Sequence, residues 1–154
     1  MRLTISVPSV ASVAFLAATV SAQTCNQKLM GTWSGESTDA SGERKTDNPN
    51  TKQQTFRQTF KRKGDGVELT VNNGKPIFFR CDGKDYPLSD QSDSAADTWN
   101  IQEKGDTGIL TFKKHGKVTL TRTCEFSADG RKMHCISKAP NGQELDRSSS
   151  AKMN

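Results

Sequence analysis

Over Lys117–Phe126 every second residue bar one is apolar or a cysteine, namely Val118, Leu120, Cys124 and Phe126. The residues between them are Lys117, Thr119, Thr121, Thr123 and Glu125. Side chains alternate between the two faces of a strand, so this run is a half-buried β-strand. The same period recurs at Trp99 and Ile101, at Phe56, Gln58 and Phe60, and at Val67, Leu69 and Val71. No stretch carries the repeat of an amphipathic helix. Strands are expected near 31–36, 54–62, 66–72, 76–81, 97–103, 108–113, 117–126 and 132–138, separated by Gly, Asp and Asn turns. Short antiparallel strands joined mainly by hairpins imply an all-β fold, an up-and-down barrel of about eight strands, with a β-sandwich as the alternative.

Turn chemistry sets the expected registers. Lys114-His115-Gly116 reads as a three-residue hairpin with glycine in the left-handed position, which places Phe112 opposite Val118 and Leu110 opposite Leu120. Asp129-Gly130 closes the next hairpin and places Phe126 opposite Met133 and Cys124 opposite Cys135. The direct opposition pairs Cys124 with Cys135 and leaves Cys25 for Cys81; four cysteines allow three connectivities in principle. A zinc site would need C-x-x-C or close Cys/His spacing, and neither occurs. Ile77-Phe78-Phe79 is apolar on both faces, and Pro76 marks a bulge or an edge.

Met1–Ala22 carries one basic residue, Arg2, then an apolar stretch ending Val20-Ser21-Ala22, which suits cleavage by signal peptidase. The run is interrupted by Ser9 and Ser12 and is too short to span a bilayer, which takes about 20 apolar residues. The expectation is a secreted, extracellular protein whose mature chain begins at Gln23. Removing 22 of 154 residues leaves 132, one domain, with a formal net charge of +4. Residues 23–154 are expected to form a single β-barrel with a frayed tail from about residue 140. The mild, mixed charge does not point to nucleic-acid binding. A monomer is expected, and the absence of any Asn-x-Ser/Thr leaves no N-glycosylation site.

Gly31-Thr32-Trp33, followed by a long polar loop and a run of hairpins, resembles the opening of the lipocalin-like (calycin) β-barrels. Asp82-Gly83-Lys84-Asp85-Tyr86-Pro87 and Asp129-Gly130-Arg131-Lys132-Met133 are similar to stretches of small uncharacterised secreted lipocalin-like proteins. The resemblance implies a non-enzymatic binding protein holding a small molecule in its barrel. The alternative is a secreted protein-interaction factor, an inhibitor or host-directed effector, acting on an extracellular protein through its loops. In such barrels a tryptophan plugs the closed end, which gives Trp33 a structural role. An arginine from a late strand packs over that tryptophan, and Arg122 is the match. By spacing, Arg122 is the one charge on an apolar face, and a guanidinium taken out of water needs acceptors or an aromatic plane. Its other reading is an anchor for an anionic ligand group beside Gln58, since arginine's fork suits a carboxylate. The candidate ligand-binding residues are therefore Arg122, Gln58 and Trp99.

Enzymatic chemistry finds little support. A secreted nuclease could use His115 and His134 as acid and base, but one falls in a hairpin tip and the other on the polar face of a strand. No Gly-x-Ser-x-Gly, His-Glu-x-x-His or phosphate-loop pattern occurs. Asp82, Asp85, Asp90, Asp93 and Asp97 lack calcium-loop spacing and read as turn and solvent residues. Lys61-Arg62-Lys63 and the lysines around His115 read as solvated hairpin ends, with an anionic partner as the alternative. No cofactor or metal is expected.

Overall fold

A computed structural model describes residues 24–39, 55–88 and 96–154. The leader, its cut after Ala22, and the greater part of both polar loops lie outside the described residues. Among the described residues a 3-10 turn, Gln27–Leu29, precedes ten strands. These are β1 (Gly31–Asp39), β2 (Thr55–Lys63), β3 (Gly66–Val71), β4 (Ile77–Phe79) and β5 (Tyr86–Pro87). They continue as β6 (Thr98–Lys104), β7 (Thr107–Lys114), β8 (Lys117–Phe126), β9 (Lys132–Lys138) and β10 (Glu144–Lys152). All pairings are antiparallel, in the order β4-β3-β2-β1-β10-β9-β8-β7-β6-β5. The result is an up-and-down, nearly closed barrel, with ten strands among the described residues where about eight were expected.

The two additions have different causes. β5 is only two residues long and contains Pro87, which has no N–H to give to a ladder, so its sequence carries no strand period. β10 replaces the frayed tail expected from about residue 140. It pairs with β1 from Trp33↔Lys152 to Asp39↔Asp146 and with β9 on its other side, so it joins the first strand to the rest of the barrel. Its inward residues include Ser148 and Ser150, both buried. A strand whose inner face is serine shows no apolar alternation.

The Asp129-Gly130 hairpin has the expected register, with Cys124 opposite Cys135 and Phe126 opposite Met133. Disulfides join Cys124 to Cys135 and Cys25 to Cys81. The β7–β8 register differs from expectation. Lys114 pairs directly with Lys117, so the loop has two residues, His115 and Gly116, with φ of 50° and 75°. Two left-handed residues are what a type I′ turn demands. That turn places Lys113 opposite Val118, and a bulge then brings Phe112 opposite Leu120 and Leu110 opposite Arg122. The extra residue, Thr119, keeps the apolar faces of both strands inward, while Val118 is left exposed at 41%.

One end of the barrel is plugged. Trp33 is fully buried, donates from Nε1 to the Leu29 carbonyl at 2.9 Å, and meets Phe126 with ring centroids 5.8 Å apart. Leu29, Phe60, Val67 and the Cys25–Cys81 bridge complete this core. Between β4 and β5 there is no ladder, and side chains help to close the seam. Phe79 meets Trp99 edge-on at 4.9 Å, and Phe78 meets Tyr86 at 6.4 Å. Tyr86 donates its hydroxyl to Asp82 at 3.0 Å, and Arg80 reaches the same hydroxyl at 3.4 Å.

Candidate functional site

The alternation that builds the barrel also leaves it hollow. The inward side chains enclose a cavity of about 450 Å³, within the usual range for small-molecule sites, about 300–1,000 Å³. Leu69, Val71 and Ile77 from β3 and β4 line one side, and Ile101, Leu110 and Phe112 from β6 and β7 continue it. Gln58, Arg122 and Ser148 supply polar groups from β2, β8 and β10.

All three residues singled out from sequence, Arg122, Gln58 and Trp99, line this one cavity. Arg122 does point inward, but it does not brace Trp33. The cation over Trp33 is Lys152, its Nζ 5.0 Å from the ring centroid. Arg122 instead donates from Nη2 to Ser148 Oγ at 2.6 Å, and Asp146 Oδ1 lies 3.7 Å away. Asp146 in turn accepts from Ser137 Oγ at 2.9 Å. The physical reason is β10: its small inward side chains face Arg122 and supply the acceptors that a guanidinium out of water requires. Burial pushes the Arg122 pKa down, and the Asp146 charge partly offsets this. Arginine's ordinary pKa is so high that the group stays cationic near neutral pH.

Sequence reading missed Ser148 and Glu103. Ser148 is hidden because no apolar alternation marks its strand; the small polar residues at Asp146, Ser148 and Ser150, two apart, are the available signal. Glu103 follows Trp99 and Ile101 at two-residue spacing, so the alternation itself placed it on the inner face. Burial raises its pKa, opposed by the Asn26 N–H that it accepts at 2.6 Å and by the Arg62 charge.

The other side chains of chemical interest stand apart. His115 lies at the β7–β8 tip with its N–H on Asp97, and His134 lies exposed on β9 against Ser149 Oγ at 2.9 Å. Asp82 and Asp85 have partners within the fold, Tyr86 and Lys84 for the first, Asn100 and Lys113 for the second. Asp90 and Asp93 lie outside the described residues. Among the described residues no group of three or more His, Cys, Asp or Glu could hold a metal ion, and no helix is long and apolar enough to cross a membrane.

Solved structures share the architecture at low sequence identity. An asparagine-to-alanine mutant of the fluorescent protein UnaG aligns with a TM-score of 0.60 at 14% identity, covering 82% of this chain and 97% of that one. Wild-type UnaG aligns with a TM-score of 0.57 at 14% identity, covering 82% and 98%. Zebrafish ileal bile acid-binding protein complexed with cholic acid aligns at 0.52 and 16% identity, covering 82% and 99%. No protein family matches the chain, and no curated protein is similar to it in sequence.

Proposed function

We propose that this protein is a secreted, non-enzymatic binding protein that holds an apolar small molecule inside its barrel, with one anionic or accepting group of that molecule at Arg122. The observation that carries the reading is a largely apolar cavity of about 450 Å³ into which one guanidinium is built. Burying that charge is unfavourable unless it is partnered. In the protein alone it has one serine hydroxyl and a carboxylate at 3.7 Å. A carboxylate or similar group entering the cavity would complete its fork. Gln58 and Trp99 are the further contacts. The neighbouring fold of a bile acid-binding protein complexed with cholic acid supports the reading. Two disulfides fit an oxidising compartment, and with them the proposed removal of Met1–Ala22. The hollow interior favours this reading over a barrel that acts through its loops.

The test pairs dodecanoate with dodecanol, read by displacement of the fluorophore 1-anilinonaphthalene-8-sulfonate. The wild-type protein is expected to bind both and to favour the acid. Arg122→Met should lose that preference by tenfold or more, with dodecanol affinity kept. Failure of both compounds to bind, or an acid preference that survives Arg122→Met, would overturn the proposal.

A further inference from the structure

Among the described glycines, every one but Gly108 has a reason within the protein. Most take a positive φ, which other residues rarely adopt. At Gly35, Gly66 and Gly74 an added Cβ would come within 2.5–2.9 Å of another residue's atoms. Gly108 does neither: its φ is not positive, and a Cβ built there meets nothing within 4 Å. It is nonetheless buried, within β7. Glycine weakens a strand, and there it often marks a close approach by a ligand or another backbone. No atom among the described residues makes that approach.

The space in front of Gly108 belongs to the barrel interior. Gly108 lies opposite Glu103 on β6 and Cys124 on β8. Cross-strand partners share a face, and all three residues line the cavity. The missing side chain is therefore a recess in the cavity wall. The same row continues through Cys135 on β9 to Ser148 on β10, which holds the Arg122 guanidinium. A serine, a disulfide and a glycine thus form a low shelf across four strands. Three strand spacings make it roughly 14 Å along the wall, and less straight across the bore. The guanidinium stands at one end and bare backbone at the other. Glu103, next in the row, bounds the recess with a carboxyl that accepts from the Asn26 N–H at 2.6 Å.

We infer that the recess at Gly108 is a subsite for the apolar end of the ligand, the end remote from the acceptor held at Arg122. This rests on the cavity being the binding site, and it narrows the ligand class by length. The molecule is long enough to cross the shelf, and its far end, a methyl group or a ring edge, packs on peptide backbone. A short acid would fill only the Arg122 end.

The experiment fills the recess in steps, with Gly108→Ala, Gly108→Val and Gly108→Leu. Calorimetric titration with dodecanoate is expected to show affinity falling along that series, about fourfold for each ligand methylene displaced and tenfold or more for Gly108→Leu. Stability of the unliganded protein should not follow. Gly108→Ala is expected to melt no lower than the wild type, since the Cβ has room and alanine is the better strand residue. A second readout needs no variant. Dodecanoate labelled with carbon-13 at its terminal methyl should give a nuclear Overhauser effect to the Gly108 Hα protons of the wild type. A lower melting temperature in Gly108→Ala would make the glycine a requirement of the fold and overturn the inference. Undiminished dodecanoate affinity in Gly108→Leu, or a bound methyl group that shows no contact with Gly108, would also overturn it, leaving the cavity reading intact. If dodecanoate does not bind the wild type, the cavity reading falls and takes the inference with it.

Discussion

Lys152 places its ammonium group 5.0 Å from the centroid of the Trp33 ring and donates to the Lys28 carbonyl at 2.8 Å. The last residue of the last strand thus covers the tryptophan of the first and holds the N-terminal turn against it. A partly desolvated cation over an indole is worth about 0.5–2 kcal/mol. Lys152→Met keeps much of the apolar stem and removes the charge. It should lower the melting temperature by a few degrees and alter the emission of Trp33, while Lys152→Arg retains most of both. An unchanged melting curve and spectrum in Lys152→Met would count against the brace.

The β10 strand supports a cruder test. Because it pairs with both β1 and β9, deleting residues 141–154 leaves two unpaired edges and removes Ser148 from the cavity wall. The truncated protein is expected to show no cooperative thermal transition by circular dichroism. A transition close to that of the full chain would mean that the barrel does not depend on β10.

The two disulfides should contribute unequally. Cys25–Cys81 closes a sequence separation of 56 residues and Cys124–Cys135 one of 11. On the chain-entropy account the longer loop is stabilised by about 1.4 kcal/mol more. Paired Cys→Ser replacement, followed by urea unfolding, should show the larger loss for Cys25 and Cys81. Equal losses, or a larger one for Cys124 and Cys135, would show that native packing around the bridges outweighs loop entropy.

Glu103 predicts a pH effect of definite sign. Its folded-state pKa lies above the ordinary 4.5 because burial disfavours its charge. Between those two values the folded protein binds more protons than the unfolded chain, so stability from this residue falls as pH rises through the window. Asp85, Asp97, Asp106 and Asp129 act oppositely: partners lower their pKa values, and the stability they supply is lost on acidification through those lowered values. Glu103→Gln leaves these four in place. The melting temperature of Glu103→Gln relative to the parent should therefore rise from about pH 4 to about pH 7. A difference that stays flat or shrinks would contradict the burial of that carboxyl.

Legibility in the sequence followed the strength of the local signal. Asp129-Gly130 and the alternation on either side of it fixed one register, and with it the disulfide between Cys124 and Cys135. His115 was harder, because a non-glycine residue at positive φ is not read from the sequence; taking the turn as three residues moved Val118 onto Phe112. Arg122, Gln58 and Trp99 converge on one cavity because alternation alone sends each of them inward. The partner of Arg122 was not legible. Serine and aspartate on the inner face of β10 look like solvent-exposed tail until the barrel closes and shows that their neighbour is a half-buried cation.

The seam between β4 and β5 bears on how the protein tolerates a guest. A sheet hydrogen-bonded around its whole circumference resists a change of girth, since widening it means breaking a ladder. Here β4 and β5 share no ladder, and the join is made by the Asp82–Gln102 bridge, the Gly83 N–H on the Ile101 carbonyl, Phe79 against Trp99 and Tyr86 with its hydroxyl partners. Opening this line would separate the Phe79 and Trp99 rings and the Tyr86 hydrogen bonds without breaking a ladder between β4 and β5. If the barrel holds a small molecule as proposed, a bulkier guest is expected to be taken up there, next to Trp99, since the wall that carries Arg122 is built on the long pairings of β8 with β7 and β9. On the proposed binding role, discrimination by size would then be softer than discrimination by polar group.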